Sequence, residues 1–367
     1  MKKISKLFDY ILIILLLFYS HVINKKIFII GSPYGRWGNR LMLYSYIISW
    51  SKKFNGIVLN PSFIEYEEYF KNFKSNVFGL IPCKGPPKNK IPKFFSSFSE
   101  RMAAQIESIL HKNLTHEEVY NLLPRGGARN ALDCAFWDIC CKKTDKTIWE
   151  LLNIKPKLLV TVATISIDDP EVMAAKAINY AKYPNLKVKL SNNQPIERLE
   201  AIRAVRPDAN LVVDINQGWT FKELKEYTPH CKRLGLSMIE QPLERGKDEM
   251  LERYQSQVPL GSDESCLDSS EYKQNASRYD VINIKLDKCG GLTDALKIVR
   301  MAQRDNKKLM VGNMTGSSLS MAPSYVIGQF CQFIDIDGPL FLKQDIKHAL
   351  QYKNGGIASM PTTKLWG

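Results

Sequence analysis

Seven polar residues recur through the second half of this chain, each at or just beyond the end of a short apolar run. Successive members lie 22 to 28 residues apart, which is about the length of one strand, one helix and two short loops. A chain that repeats this unit in parallel closes most simply into a (β/α) barrel, whose strand ends meet at one rim. The seven residues are Lys189, Asp214, Glu240, Asp263, Lys285, Asn313 and Asp335.

Eight apolar runs in this part of the chain are typical of strands, and amphipathic stretches such as 196–205 and 292–304 separate them. The pattern predicts an α/β fold in which residues 151–350 form a TIM-like (β/α)7β barrel. The eight runs are 158–167, 186–190, 209–213, 236–239, 258–260, 281–284, 308–311 and 330–334.

Two of the rim positions carry lysines that suit proton transfer. The alternation in Lys187-Val-Lys189 puts both lysines on one face of a strand, which in a barrel is the inward face. A lysine held near another cation has a lowered pKa, so Lys187 would allow Lys189 to act as a base. Lys285 places another amine at the rim, across the barrel on the sixth strand. On an ordinary strand the same alternation would only present two lysines to solvent.

Three acidic residues, Asp214, Glu240 and Asp263, end consecutive predicted strands. Each of them alone could cap the helix that follows it. Together they would repel one another unless a cation lay between them, and oxygen ligands without His or Cys favour Mg²⁺ over zinc. Asn216 and Glu264 lie next to these residues in the sequence and are expected to support the site from behind the ligands.

The net charge of +14 does not indicate nucleic-acid binding once it is located. Residues 1–100 hold 15 Lys/Arg against 5 Asp/Glu, whereas the remaining 267 residues carry 36 against 32. Basic charge beside an apolar N-terminus fits a membrane surface better than a duplex, and the sequence has no nucleic-acid-binding motif. The eight cysteines form no CxxC pattern, which favours free thiols and a cytoplasmic catalytic domain.

Residues 1–26 contain an apolar run, within 8–24, that is flanked by lysines. The run is short for a membrane span, and no cleavage site follows it. An uncleaved membrane anchor and a buried N-terminal element both fit this pattern, so membrane contact through residues 8–24 stays open.

Residues 27–98 have a different character from the barrel. An apolar strand from residue 27 leads into Gly35-Arg-Trp-Gly-Asn-Arg-Leu41, and Asn60-Pro-Ser-Phe-Ile-Glu-Tyr66 follows. These motifs resemble the start of fucosyltransferase-like bacterial glycosyltransferases, a family in which this loop approaches a nucleotide-sugar. The resemblance covers only residues 27–75, and a structural remnant without activity is the alternative. A stretch rich in Pro and Gly at 85–92 is typical of a linker.

From about residue 101 to the C-terminus the chain resembles the dipeptide epimerases of the enolase superfamily. Ordered motifs in the helical segment, at the strand ends and after the last strand carry the resemblance. They are Ala128-Arg-Asn-Ala-Leu-Asp-Cys134, Leu186-Lys-Val-Lys-Leu190, Val213-Asp-Ile-Asn216, Ile239-Glu-Gln-Pro-Leu243, Ser262-Asp-Glu-Ser265, Asn283-Ile-Lys-Leu-Asp-Lys-Cys-Gly-Gly291 and Asp335-Ile-Asp-Gly-Pro339.

The resemblance implies that the three acidic rim residues bind one Mg²⁺ per subunit and that Lys189 and Lys285 form the acid/base pair. It also implies that Asp335 and Asp337 bind the substrate α-ammonium and that Thr164 lines the pocket. The implied reaction epimerises dipeptides of the L-Ala-D/L-Glu type by two-lysine 1,1-proton transfer through an enediolate. Two alternatives stay open: another cycloisomerase or dehydratase of the superfamily, and a catalytically silent protein tethered to a membrane.

The chain departs from that family at its N-terminus. The family begins with a capping domain whose small sheet and loops close over the substrate, whereas here residues 99–150 retain only its helical part. We expect residues 351–367 to return to this incomplete cap. Lid loops exclude water and set specificity, so the missing sheet predicts impaired turnover. A homo-oligomer is compatible with the sequence but not specified by it.

Overall fold

A computed structural model describes three short strands in the N-terminal region and the continuous stretch 116–367. The N-terminal strands are β1 (Ile27–Ile29), β2 (Ile57–Leu59) and β3 (Val77–Phe78), which pair in parallel in that order. The first of them confirms the apolar strand expected from residue 27. The chain divides into two compact units, 1–111 and 112–367.

The second unit is built on a sheet of eight strands that pair in parallel throughout. Neighbours along the chain are neighbours in the sheet, so each crossover returns the chain beside the strand it has just left. The strands are β5 (Ala163–Ile165), β6 (Asn185–Lys189), β7 (Asn210–Asp214), β8 (Leu236–Glu240), β9 (Leu260–Ser262), β10 (Val281–Ile284), β11 (Lys308–Val311) and β12 (Phe333–Ile334). The eight runs predicted from the sequence overlap these strands, and the predicted barrel class is confirmed.

The two edges of this sheet meet, which closes it into a barrel. The backbone N–H of Val162, just before β5, donates to the carbonyl oxygen of Ile334 at 2.9 Å. The Thr161 hydroxyl accepts the N–H of Ile336 at 2.9 Å, so the first and last strands are joined by two hydrogen bonds. Closure removes the unpaired edges that an open sheet would expose.

The predicted first strand, 158–167, is divided in the structure between two sheets. Its first part, β4 (Leu159–Val160), pairs with β14 (Ile357–Ala358), which in turn pairs with β13 (Tyr352–Lys353). Only β5 belongs to the barrel. A single apolar run concealed this division because both parts have buried apolar side chains.

The helices lie in the crossovers and in the segment before the barrel. Thr220 caps one of them with a reciprocal bond to Glu223, which satisfies backbone N–H groups that a helix start leaves unpaired. The helices are α1 (His116–Leu122), α2 (Gly127–Thr144), α3 (Ile148–Leu151), α4 (Pro170–Asn179), α5 (Pro195–Val205), α6 (Phe221–Arg233), α7 (Tyr272–Ala276), α8 (Leu286–Cys289), α9 (Leu292–Arg304) and α10 (Ser318–Gly328).

Helix α2 and the C-terminus contact each other. The indole N–H of Trp366 donates to the carbonyl oxygen of Cys134 at 2.8 Å, and the N–H of Gly367 donates to the Asp138 carboxylate at 2.8 Å. These bonds hold the last residues of the chain against α2.

Alternation along the strands separates two apolar clusters. Outward residues such as Leu211 and Val213 pack under the helices in the main core. Inward residues fill the barrel itself, and these are Val212, Met238, Val281 and Met310, with Phe333 beside them. The same alternation places Asp214 inside the barrel at the end of β7.

No helix in the described part of the chain is long and apolar enough to cross a membrane. The apolar run within 8–24 lies outside the described residues.

Truncating the barrel interior should destabilise the protein. Met310 is fully buried, so Met310→Ala should lower the free energy of unfolding by about 2–5 kcal/mol through lost contacts and a cavity. Urea unfolding at a constant m-value measures this change. Met360 is 42% exposed, and Met360→Ala is therefore the matched control, with an expected change within about 0.5 kcal/mol. Equal effects of the two variants would contradict a packed interior.

Candidate active site

Five adjacent strands of the barrel carry charged residues at their carboxyl ends, and we call these five residues the rim row. Lys189 pairs with Asp214 in the sheet register, and Asp214 pairs with Glu240. The next two members directly follow β9 and β10. In the order of the sheet, the row is Lys189, Asp214, Glu240, Asp263 and Lys285. Two amines therefore flank three carboxylates.

Each terminal amine of the row contacts the carboxylate next to it. The Lys189 amine lies 2.5 Å from Asp214 Oδ2 and 3.0 Å from Asn216 Oδ1. The Lys285 amine lies 2.8 Å from Asp263 Oδ2. The two lysines differ in exposure, since the side chain of Lys189 is 31% exposed and that of Lys285 only 8%.

Lys187 lies inside the barrel among carboxylates. Its amine is 2.7 Å from Glu240 Oε2, 2.9 Å from Asp335 Oδ2 and 3.2 Å from Asp214 Oδ2. Burial opposes its charge, but these three carboxylates outweigh burial and raise the pKa of Lys187 well above its usual value. Lys187 is therefore a cation that connects Asp214 and Glu240 to Asp335, and its predicted action on Lys189 stays a prediction.

Burial and the neighbouring lysines shift the pKa values of the row's carboxylates in opposite directions. Burial alone would raise the pKa of Asp214, but Lys189 and Lys187 overcome it, so the pKa is lowered. The pKa of Asp263 is likewise lowered, because Lys285 and Lys288 outweigh its burial. In the middle of the row, burial and the charge of Asp214 raise the pKa of Glu240 to about 7.

Lys288 is a further amine at this site that the sequence did not single out. Its Nζ lies 2.6 Å from Asp263 Oδ1, so Lys285 and Lys288 hold the two oxygens of one carboxylate. The signal was present in the Lys-x-x-Lys spacing of residues 285–288, but only the single turn of α8 brings the second lysine back to the rim.

Gln241 is a second residue missed from the sequence, and it ties three strand ends together. Its side-chain oxygen accepts the backbone N–H of Asp263 at 2.8 Å and of Ser265 at 3.0 Å. Its carbonyl oxygen accepts the N–H of Gln217 at 2.8 Å, in the turn after β7. Gln241 has a positive φ of 38°, which is a strained conformation that the surrounding bonds must hold.

Asp335 and Asp337 follow the last strand, and Asp335 pairs with Lys187. Asp335 accepts bonds from Lys187 and from the amide of Asn313. Asp337 Oδ2 accepts the backbone N–H of Thr164 at 3.1 Å. Burial and the neighbouring charge of Asp335 raise the pKa of Asp337 to about 8. The structure thus brings together all the residues that the sequence singled out on these strands.

The donor set of the site suits a hard divalent cation. As the side chains stand, no three acidic, His or Cys residues of the described part enclose an ion-sized space, and lysine amines lie against the acidic row. The carboxyl groups of the site nevertheless outnumber its amines, six to four. The buried Oε2 of Glu264 also has no hydrogen-bond partner. The carboxylates are Asp214, Glu240, Asp263, Glu264, Asp335 and Asp337, and the amines are Lys187, Lys189, Lys285 and Lys288.

A sequence model of the enolase C-terminal domain-like family matches residues 171–362, which include the rim row and Asp335 and Asp337. The chain belongs to the enolase superfamily. An N-acetyl-D-glutamate racemase from a Pseudoalteromonas species is 39% identical over 250 residues, which cover 68% of this chain and 79% of that protein. The L-Ala-D/L-Glu epimerase of Escherichia coli K12 is 39% identical over 272 residues, covering 72% and 84%.

Solved structures agree with this assignment. An enolase family member from Agrobacterium tumefaciens, solved with sodium and L-Ala-L-Glu, superposes with a TM-score of 0.71 at 39% identity, covering 74% of this chain and 85% of that one. The protein is an isomerase of the racemase and epimerase class. The matched family region begins well after residues 27–75, so the glycosyltransferase-like interpretation of that segment gains no support.

Replacing Asp337 should change how stability depends on pH. A carboxyl with a pKa of about 8 in the folded state and about 4 in the unfolded chain favours folding less as pH rises between those values. Asp337→Asn removes this loss, so its Tm relative to wild type should increase from pH 5 to pH 8.5. Each kcal/mol corresponds to roughly 2–4 °C in a domain of this size.

Thermal melts across that pH range measure the effect. Asp169→Asn is the control, because Asp169 lies exposed at the start of α4, and its Tm difference should stay constant. A constant difference for Asp337→Asn as well would show that Asp337 ionises normally in the fold.

Proposed function

We propose that this protein is a Mg²⁺-dependent epimerase of dipeptides of the L-Ala-D/L-Glu type that uses Lys189 and Lys285 as its acid/base pair. One observation carries the proposal. The two amines lie at opposite ends of the rim row, with three carboxylates between them. Groups on opposite sides of a bound α-carbon can remove a proton from one face and supply one to the other, which inverts the centre.

Asp214, Glu240 and Asp263 are the residues that would hold the cation. They offer only oxygen ligands, which Mg²⁺ prefers, and the carboxyl groups of the site outnumber its amines. Bound there, the cation would stabilise the negative charge that develops on the substrate carboxylate when the α-proton leaves. Relatives in the same class have been solved with sodium and L-Ala-L-Glu, and with Mg and D-Ala-L-Val.

The two lysines have different surroundings. Burial lowers the pKa of Lys285, but Asp263 outweighs it and raises that pKa above its usual value, so this amine carries its proton at neutral pH. Lys189 is more exposed and is oriented by Asn216. Lys187 holds Asp214 and Glu240 at fixed positions and neutralises part of their mutual repulsion. These contacts preorganise the row before substrate binds.

Asp335 and Asp337 supply the proposed contact to the substrate α-ammonium. Two neighbouring carboxylates favour a cationic amine over a neutral group, and an ammonium between them would lower the pKa of Asp337. Asp335 is already ion-paired with Lys187, so the second carboxylate provides the additional charge. Impaired turnover was expected because the sheet of the capping domain is missing. This expectation concerns residues outside the described stretch 116–367 and stays a prediction.

Each lysine should be required for inversion but not for both exchange reactions. Lys189→Ala and Lys285→Ala should each reduce interconversion of L-Ala-L-Glu and L-Ala-D-Glu by roughly 10²–10⁴-fold, the usual contribution of an acid or base. Each variant should still exchange the α-proton of one epimer with D₂O, because the other lysine still faces that proton. NMR of both epimers with Mg²⁺ measures the exchange.

Lys176→Ala is the control for this experiment, since Lys176 pairs with Asp168 away from the row. EDTA should stop exchange in the wild type and Mg²⁺ should restore it. A folded wild-type protein that exchanges neither epimer would refute the proposed function. If both lysine variants lost α-proton exchange of the same epimer, the two lysines could not act on opposite faces of the α-carbon, and that part of the proposal would be refuted.

Racemisation of N-acylated glutamate is a second candidate. The Pseudoalteromonas relative is an N-acetyl-D-glutamate racemase with the same 39% identity. A raised pKa leaves Asp337 protonated near neutrality, and a protonated carboxyl can donate a hydrogen bond to an acyl oxygen.

A substrate panel separates the two candidates. If the dipeptide is the substrate, kcat/KM for L-Ala-L-Glu should exceed that for N-acetyl-L-glutamate. Asp335→Asn should then reduce the dipeptide reaction by at least tenfold and affect the N-acetyl compound less, because only the dipeptide has an ammonium. The reverse preference in the wild type would assign the protein to N-acyl substrates.

A further inference from the structure

Helix α2 forms hydrogen bonds to the turn that follows Lys285, although the helix lies outside the barrel. The Arg129 guanidinium donates to the carbonyl oxygen of Cys289 at 2.6 Å. The Asn130 amide donates to Asp287 Oδ1 at 3.1 Å. Asp133 Oδ2 accepts the backbone N–H of Thr293 at 3.0 Å. Three residues near the start of one helix therefore bind the stretch from Asp287 to Thr293.

Gly290 and Gly291 make this close approach feasible. Both have positive φ, at 84° and 121°, a region that favours glycine. A Cβ on Gly290 would lie 2.3 Å from Arg129 Nε, and one on Gly291 would lie 2.4 Å from Asp133 Oδ2. The pair thus does more than allow a tight turn, since it leaves room for two specific side chains of α2.

The turn that is bonded to α2 begins at Lys285 itself. The carbonyl oxygen of Lys285 accepts the N–H groups of Lys288 and Cys289, at 2.9 and 3.0 Å, and starts the single turn of α8. Arg129 and Asp133 are almost fully buried, at 7% and 1% exposure. Their positions are therefore closely defined, and any shift of α2 would be transmitted through one helical turn to Lys285.

We propose that Arg129 and Asp133 are positioning residues for Lys285, and that α2 acts as a fixed brace of this lysine rather than as part of a moving lid. The inference rests on the proposed two-lysine reaction. Lys189 lies on β6, four strands away in the sheet, and none of these contacts reaches it. Loosening the brace should therefore impair one proton transfer and spare the other.

The test is whether exchange becomes unequal between the two epimers. In Arg129→Met, α-proton exchange should fall roughly 10–100-fold for the epimer that Lys285→Ala also silences, as expected when an acid or base is displaced by about 1 Å. Exchange of the other epimer should stay within about threefold of wild type. Arg129→Lys, which keeps the charge and one donor, should restore part of the loss.

Arg125→Met is the matched control. Arg125 also connects this segment to the barrel, but through Asp268 and Glu271, which lie outside α8. In Arg125→Met, α-proton exchange should fall equally for both epimers or should not fall. Asn130→Ala is a milder variant that removes the bond to Asp287 and the bond that Asn130 Oδ1 accepts from the Cys134 thiol, and it keeps the test usable if Arg129→Met does not fold.

Amide hydrogen exchange gives a second measurement that needs no activity. Amides of residues 286–291 should exchange faster in Arg129→Met than in wild type, whereas amides of β7 and β8 should not change. If both epimers lose exchange equally in Arg129→Met, or if amides 286–291 keep their protection, the brace is refuted. A wild type that exchanges neither epimer refutes the proposed function instead, and the amide measurement then decides the brace alone.

Discussion

The structure depends on ion pairs between the acidic residues and the lysines at five adjacent strand ends. Buried carboxylates on three neighbouring strands repel one another at close range, and isolated in an apolar barrel they would be costly. Here Lys189 and Lys285 flank them, and Lys187 contacts two of them from within the barrel. The oxygen donors of the row suit a divalent cation, and burial together with the charge of Asp214 raises the pKa of Glu240 in the middle of the row.

Different contacts support different parts of the site. Lys187 joins Asp214 to Asp335 across the barrel, so the acidic row and the proposed amine-binding residues are electrostatically connected. Gln241 holds the turns that carry Asp263 and follow β7. The turn of Lys285 instead depends on α2, a helix from the segment before the barrel. The turn that carries Lys285 is thus bonded to a part of the chain that lies outside the matched family region.

Much of this arrangement followed from sequence alone, because the alternation of side chains along a strand and the length of one strand-helix repeat are local properties. The eight apolar runs located the strands, and alternation in β6 put Lys187 and Lys189 inside the barrel. Two details did not follow. The run at 158–167 is shared between two sheets because strand β4 pairs with the distant β14. The partners of Lys187 lie on three other strands, and sequence spacing cannot show which charge an amine will meet.

The sequence by itself determined the barrel, the order of charges along its rim and the superfamily resemblance, since each depends on residue types at regular intervals. Only the tertiary structure decided which groups touch. It surrounded Lys187 with carboxylates, brought Lys288 back onto Asp263, and set Arg129 and Asp133 against Gly290 and Gly291. These pairs are up to about 160 residues apart in the chain, and distances between such residues are set by how whole strands and helices pack.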